Sequence, residues 1–291
     1  MTYDLLIGDR AYSSWSLRTW LLFDVFDLPH TVQTTRFYCD AFQEALADYA
    51  PARTVPVMRV PDGTVVADTL AIAEELHSRH PDAGLWPSDP AQRATARMLT
   101  AEMHAAFTSL RSACPMNLRV AYSDFTLELA VQEDLDRITA LWAHAREMSG
   151  LTTPWLFGDY TIADAFFAPV AARIATYGLP VEGEAASYVA AQLAHPSFRR
   201  WRAMGLVDGP DQPTYAMAYD TCPWPGPSPR QAKAVPDGPS RNTTCPYSGD
   251  PVTDYLQMDS ETYGFCNAFC RDKTVADPEA WPAFMALVPA R

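Results

Sequence analysis

The sequence predicts an α/β domain, then an all-helical domain, then a small cysteine-rich module. Short apolar strands and apolar-periodic helices alternate up to about residue 80. From Pro90 to Gly205 the apolar residues recur at helical spacing alone, and four of the six cysteines lie beyond residue 220. We therefore expect this division: an α/β domain at 1–82, a helical domain at 88–207, a Pro-rich linker at 208–243 and the module at 244–291.

The composition argues against several classes of partner. The chain has 291 residues and a formal net charge of -13, with no run rich in Lys or Arg. Nucleic acid and anionic membrane surfaces both require a basic face, so we expect neither as a partner. No apolar run is long enough for a membrane helix, and the N-terminus lacks an export signal. We expect a cytoplasmic protein whose cysteines remain reduced.

The first strand, Tyr3 to Ile7, leads into a helix that opens near Ser13 and Ser14. A helix N-terminus has unpaired N–H groups and partial positive charge, so it favours an anion such as a thiolate. A free thiol titrates near about 8.5, and an enzyme that uses one must stabilise its ionised form. A hydroxyl of Ser13 or Ser14 could donate to that sulfur. The alternative is that both serines are ordinary helix caps.

A second helix start follows Val55-Pro56 and two short strands. A proline is tolerated where a strand opens, and this one is a candidate for a cis bond. Asp68 and Thr69 then precede a helix that ends near Arg79. The Thr69 hydroxyl and the N–H groups could hold a carboxylate, and Asp68 could hold an ammonium. A plain cap is again the alternative.

These segments together resemble the thioredoxin-like N-terminal domain of glutathione S-transferases. Asp68-Thr69 is similar to the family's pair for the γ-glutamyl end of glutathione. Val55 is similar to the residue whose backbone pairs with the cysteinyl part, and Pro56 to the family's cis-proline.

The stretch from Tyr12 to Arg18 resembles the serine-type, zeta-like bacterial branch of that family, with the serine register displaced. The resemblance implies that glutathione is a substrate and that Ser13 or Ser14 acts on its sulfur. We favour Ser13. It also implies a small electrophilic second substrate and a homodimer.

The helical segment is expected to form the second-substrate pocket. Thr161-Ile-Ala-Asp164 predicts a capping box with a structural role, and it is similar to the folding motif of the family's helical domain. The sequence around residues 102–107 and 115–117 resembles the corresponding helix of bacterial members. Candidate pocket residues, with ordinary helix packing as the alternative, are Met103, His104, Phe107 and Met116.

The C-terminal segment carries a cysteine in a Pro/Gly knuckle, Cys245, and then a Cys-x-x-x-Cys pair, Cys266 and Cys270. Three soft ligands so placed could collect one metal, which would supply folding energy that a core of about fifty residues lacks. The run resembles the YHS or TRASH type of metal-associated module. We expect zinc, with Cys222, Asp250 or a solvent molecule as the fourth ligand. The alternative is three buried cysteines that act as small hydrophobes.

The leading hypothesis is therefore a glutathione S-transferase-like enzyme with an appended metal module. The alternative is a non-catalytic protein that uses the transferase fold as a scaffold, while the module binds or senses a metal or a protein partner. The displaced serine register favours this alternative.

Overall fold

The chain forms two units in the computed structural model, which describes residues 2–289. The first unit extends to Leu193 and includes Pro213–Pro225. The second comprises Ala194–Gln212 and the chain from Gly226 onward. These boundaries differ from the expected division, because the last helix of the expected helical domain clusters with the C-terminal module.

The N-terminal part of the first unit is a four-stranded sheet with helices. Its elements are β1 (Tyr3–Ile7), α1 (Ser14–Asp24), β2 (His30–Thr34), α2 (Asp40–Ala47), β3 (Val57–Arg59), β4 (Val65–Ala67) and α3 (Thr69–Arg79). The strand order is β2-β1-β3-β4, with β1 parallel to β2 and β3 antiparallel to both of its neighbours. The sequence of β1 is almost wholly apolar, and four of its five residues are buried, because it lies inside the sheet between two other strands. The expected thioredoxin-like domain is confirmed.

The remainder of the first unit is mostly helical, as expected. Its elements are α4 (Pro90–Ala105), α5 (Thr108–Ala113), β5 (Ala121–Tyr122), α6 (Leu129–Ser149), α7 (Ile162–Tyr177) and α8 (Gly183–Ala194). Every residue of α7 is buried, so this apolar helix is central to the unit. It packs against both α1 and α4.

The capping box at the start of α7 is confirmed. The Asp164 carboxylate accepts hydrogen bonds from the N–H of Thr161 (2.9 Å), the N–H of Leu156 (3.2 Å) and the hydroxyl of Tyr188 (3.0 Å). Burial raises the pKa of Asp164 to about 6, although these donors oppose the shift. The motif therefore ties the helix start to the preceding loop and to α8.

Part of the expected linker packs against the first unit through aromatic rings. Tyr215 stacks on Tyr12 with 4.6 Å between ring centroids, and Tyr219 lies 5.6 Å from Tyr122. A two-residue strand, β6 (Thr221–Cys222), pairs with β5. Aromatic side chains can anchor a segment that has no helical or strand periodicity.

Up to residue 289, the second unit combines three α-helices with a three-stranded meander. Its elements are α9 (Pro196–Val207), β7 (Ala232–Val235), β8 (Asp254–Met258), β9 (Glu261–Phe265), α10 (Ala268–Ala276) and α11 (Pro282–Met285). The α9 helix packs against α10, and Arg199 donates to both oxygens of Asp277 at 2.7 and 2.8 Å. These contacts explain why α9 belongs to this unit. Between residues 2 and 289, no helix combines the length and apolar character needed to cross a bilayer.

Candidate functional site

A cleft of about 340 Å³ lies at the N-terminus of α1, within the first unit. Its floor is formed by the start of α1, and its other walls come from the loop before β3, from α5 and α7, and from Tyr215. The residues that line it include Ser13, Ser14, Trp15, Val55, Arg111, Met116, Arg173 and Tyr215.

Strand directions bring both predicted helix starts to one edge of the sheet. Because β1 and β4 are each antiparallel to β3, they run in the same direction. The helices α1 and α3 therefore begin at the same edge of the sheet, the one formed by the carboxyl ends of β1 and β4. The register agrees, since Leu6, Val57 and Ala67 lie side by side. The Val55–Pro56 bond, which is cis, opens β3 at this edge. The two predicted parts of the site are therefore neighbours.

Ser13 is the N-cap of α1. Its Oγ accepts a hydrogen bond from the N–H of Ser16 (3.3 Å) and donates to the Ser16 hydroxyl (2.7 Å). The Ser16 hydroxyl in turn accepts from the N–H of Gly8 (3.0 Å). This series of hydrogen bonds fixes the turn between β1 and α1, and it uses the hydroxyl proton of Ser13 within the protein.

Ser14 has a different environment from its neighbour. Its Oγ accepts a hydrogen bond from the Arg173 guanidinium at 3.5 Å. In the described part of the chain, no protein group accepts a hydrogen bond from its hydroxyl. The Ser14 proton is therefore available to a ligand in the cleft, whereas the Ser13 proton is engaged.

Asp68 and Thr69 form the start of α3. Asp68 has φ = +76°, a left-handed conformation that is costly for a non-glycine residue and is often found at functional sites. Its Oδ1 accepts from the N–H of Leu70 (2.9 Å), and its Oδ2 lies 3.1 Å from His104 Nε2. The Thr69 hydroxyl is buried and has no hydrogen-bond partner among residues 2–289. Neither Asp68 nor Thr69 lines the cleft at the start of α1.

The expected second-substrate residues are not all in this cleft. Met116 lines it, whereas Met103 and Phe107 are buried in the helical core and His104 contacts Asp68. The loop that follows α4 turns at Phe107, whose φ is +60°. This turn brings α5, and with it Arg111, to the cleft.

The cleft also contains arginines that sequence reasoning did not select. Arg173 is only 3% exposed, and burial, followed by the nearby charge of Arg111, lowers its pKa to about 10. Arg111 lies over the Trp15 ring at 5.2 Å, and burial lowers its pKa too. A sequence signal did exist, because Arg173 interrupts an otherwise apolar run in α7. The excess of positive charge favours an anionic ligand.

The three predicted metal ligands are grouped in the second unit. The Sγ atoms of Cys245, Cys266 and Cys270 all lie within 4.8 Å of one another, and no further His, Cys, Asp or Glu joins them among the described residues. Asp250 is therefore outside the group, and Cys222 lies in β6 of the first unit. Burial acts to raise the pKa of Cys245, but the N–H groups of Tyr247, Cys266 and Ser248 outweigh it and lower the value to about 7. The donor set suits a soft, thiophilic metal ion.

The fold and the cleft define a class of protein. A thioredoxin-like domain that presents two helix N-termini at one edge of its sheet, followed by a helical domain that contributes the other wall of the cleft, is the arrangement of a glutathione transferase.

Comparisons with known proteins identify the family. The model of the glutathione S-transferase N-terminal domain matches residues 12–79. The chain is 30% identical over 162 residues to a probable maleylacetoacetate isomerase of Caenorhabditis elegans, which covers 55% of this chain and 73% of that protein. It is 27% identical over 171 residues to the maleylacetoacetate isomerase of Pseudomonas aeruginosa, which covers 58% of this chain and 80% of that protein. The chain belongs to the glutathione S-transferase family.

Solved structures show the same fold. A Burkholderia glutathione transferase homologue with bound glutathione has a TM-score of 0.54 and 24% identity, and the match covers 70% of this chain and 98% of that one. Glutathione transferase Omega 3C of Trametes versicolor has a TM-score of 0.53 and 18% identity, with 74% and 91% covered. The expected fold class and the expectation of a glutathione transferase-like enzyme are confirmed. The metal module remains a prediction.

Proposed function

We propose that this enzyme binds glutathione in the cleft at the start of α1, ionises its thiol and directs the thiolate to a small electrophile. The observation that carries the proposal is the meeting of the α1 and α3 helix starts at one edge of the sheet, beside a cleft that Val55 also lines. An anion at each helix start is stabilised by N–H groups and by the helix dipole.

The site supports a definite placement of glutathione. Thr69 and the start of α3 hold the γ-glutamyl carboxylate, and Asp68 holds the ammonium. The backbone of Val55 pairs with the cysteinyl part. The sulfur then lies at the start of α1, beside Ser13 and Ser14. Of the two, Ser14 is the better donor, because the Ser13 proton is engaged by Ser16.

Two reactions are open to the bound thiolate. In a transfer, sulfur bonds to the electrophilic carbon and the leaving group departs with the bonding electrons. In an isomerisation, the thiolate adds to a double bond conjugated to a carbonyl, the resulting single bond rotates and the thiolate is expelled unchanged. The relatives named maleylacetoacetate isomerase favour the second reaction, on an acid with a cis double bond. Arg111, in the cleft wall, is the candidate partner for its carboxylate.

Calorimetric titration and rate measurements test the proposal together. We expect glutathione to bind at millimolar concentration or below, and the enzyme to use maleylacetoacetate or a generic electrophile. Ser14→Ala should lower kcat/KM at least about tenfold, because the negative charge on the glutathione sulfur loses a hydrogen-bond donor. Ser187→Ala, on α8 outside the cleft, is the matched control and should have no effect. Absence of glutathione binding by the wild-type protein would contradict the proposal.

The second candidate function is a non-catalytic scaffold. It is favoured by the engaged Ser13 proton, because the residue expected to act on sulfur already caps α1. A scaffold would bind glutathione without any change in the pKa of its thiol and would show no conjugation or isomerisation. The titration and the rate measurements therefore separate the two functions.

We also propose that Cys245, Cys266 and Cys270 bind zinc. Zinc–sulfur bonds of about 2.3 Å place thiolates roughly 3.8 Å apart, and Cys266 and Cys270 are separated by 3.9 Å. Elemental analysis of protein purified under reducing conditions should find about one zinc per chain. Cys266→Ser should lose the metal, whereas Cys39→Ser, outside the group, should retain it. Equal metal content in both variants would exclude this site.

Family membership further supports a cytoplasmic homodimer. Light scattering on the purified protein should give twice the chain mass of 32.2 kDa. A mass equal to that of one chain would exclude the dimer.

A further inference from the structure

Arg173 is a buried cation with no anionic partner. It lies in the apolar helix α7, is 3% exposed and yet reaches the cleft wall. Within residues 2–289, no carboxylate forms an ion pair with it. Burying a charge without a counter-charge is costly, so a protein that retains one has a use for it.

Neutral groups hold the guanidinium in place. Its Nε donates to the carbonyl of Cys114 (2.9 Å), Nη1 donates to the carbonyl of Pro169 (3.2 Å), and Nη2 donates to Ser14 Oγ (3.5 Å). These acceptors fix the orientation of the side chain but leave its positive charge uncompensated. The third bond also directs one edge of the guanidinium to the serine at the start of α1.

The groups around Arg173 add no negative charge at neutral pH. Burial raises the pKa of Cys114 to about 12, and it raises the pKa values of Tyr177 and Tyr215 above their ordinary range. The charged neighbours are themselves cations. The surrounding titratable and charged groups are Cys114 and Arg111 of the α5 region, Tyr177 of α7, Tyr215, and Arg18 of α1. A bound anion would supply the missing counter-charge.

We propose that Arg173 supplies the counter-charge of the glutathione thiolate and positions Ser14 to donate to it. The inference rests on the proposed function and deepens it. A sulfur that accepts a hydrogen bond from Ser14 lies within roughly 7 Å of the guanidinium, because the serine oxygen joins the two. An opposite charge at about 4–6 Å lowers the pKa of an acid by about 1–3 units, so at this somewhat longer distance the lower end of that range, about one unit, is expected. The guanidinium also occupies a lone pair of Ser14 Oγ, which strengthens that hydroxyl as a donor.

Arg173 is thus a positioning residue that acts from the helical domain on chemistry at the start of α1. Arg111 differs, because it is only partly buried, its charge lies over the Trp15 ring and its Nη1 donates to the carbonyl of His104. The two arginines therefore have separate tasks: Arg173 serves the sulfur, and Arg111 the second substrate.

The test is the pKa of the glutathione thiol in the complex, read from the ultraviolet absorbance of the thiolate as pH is varied. Arg173→Gln should raise that pKa by about one unit or more, because the charge that favours the thiolate is lost. At a pH well below that pKa the thiolate fraction then falls about tenfold, and at a pH equal to the wild-type pKa it falls about fivefold. Arg173→Lys loses the same carbonyl contacts but retains the charge, so its thiol pKa should stay close to the wild-type value.

A matched control separates electrostatics from structure. Arg146→Gln also removes a guanidinium that donates to backbone carbonyls, those of Thr153 and Pro154, but Arg146 does not line the cleft. It should leave the thiol pKa unchanged. An Arg173→Gln variant that binds glutathione with the wild-type thiol pKa would overturn the inference and leave the proposed function intact. No binding of glutathione to the wild-type protein would overturn both.

A second measurement needs no variant, in case Arg173→Gln does not fold. Glutathione sulfonate carries a fixed negative charge at the sulfur position, and S-methylglutathione carries none. The wild-type protein should bind the sulfonate about tenfold more tightly, in line with a one-unit shift. Equal affinity for the two compounds would overturn the inference, together with the proposed stabilisation of the thiolate at the start of α1.

Discussion

The substitution Asp164→Ala should destabilise the first unit by about 3 kcal/mol without altering the chemistry. It leaves the buried N–H groups of Leu156 and Thr161 without an acceptor. Each unsatisfied group costs about 1–3 kcal/mol, and a water molecule that enters the vacated space offsets part of the sum. The Tyr188 hydroxyl adds little, since it can turn to Gln192 Oε1, which has no partner among the described residues.

Urea unfolding at about pH 5, followed by circular dichroism, measures this change. For a unit of about 200 residues, the melting temperature should fall by roughly 6–12 °C. At a temperature where both proteins are folded, kcat/KM should stay within about twofold of the wild-type value, because Asp164 does not line the cleft. A loss of stability below about 1 kcal/mol, or a large loss of activity in the folded variant, would refute the structural role.

The pH dependence of stability gives an independent check on the same residue. Burial raises the pKa of Asp164 from 3.8 to about 6 in the folded state, so the folded protein binds a proton that the unfolded chain has released. Its contribution is therefore complete below about pH 4 and is lost as pH rises through about 6, by up to about 3 kcal/mol. Asp164→Asn, which does not titrate, should lack this part of the profile. Parallel profiles for the two proteins would contradict the assignment.

Two further substitutions test one residue in each unit. Asp68→Gly should change the free energy of unfolding by less than about 1 kcal/mol, because glycine adopts a φ of +76° freely and is an acceptable helix cap. The same substitution should weaken glutathione binding at least about tenfold. Calorimetry that shows unchanged affinity would contradict this. Arg199→Gln should destabilise the second unit by about 1–3 kcal/mol through loss of its paired bonds to Asp277, and unchanged urea unfolding of that unit would contradict it.

Local sequence signals were sufficient for much of this fold. The order of strands and helices in the first 80 residues follows from apolar periodicity and turn residues. The capping box depends on residues three positions apart, Thr161 and Asp164, and is readable for that reason. The two helix starts were also predicted, and strand pairing then brings them to one edge.

Local sequence signals did not predict contacts between distant parts of the chain. Arg173 is 159 positions from Ser14, and no local pattern pairs them. Tyr215 reaches the cleft from a segment without periodicity. The α9 helix has an ordinary amphipathic sequence, so its packing against α10 depends on tertiary contacts such as Arg199–Asp277. In each case a long-range contact, which periodicity does not encode, decides the outcome.

Titration with glutathione and with cysteinylglycine, which lacks the γ-glutamyl group, tests the central claim most directly. If the start of α3 holds the γ-glutamyl end while the start of α1 holds the sulfur, glutathione should bind and ionise, whereas cysteinylglycine should bind at least about a hundredfold more weakly. Equal affinity for the two thiols would contradict the account.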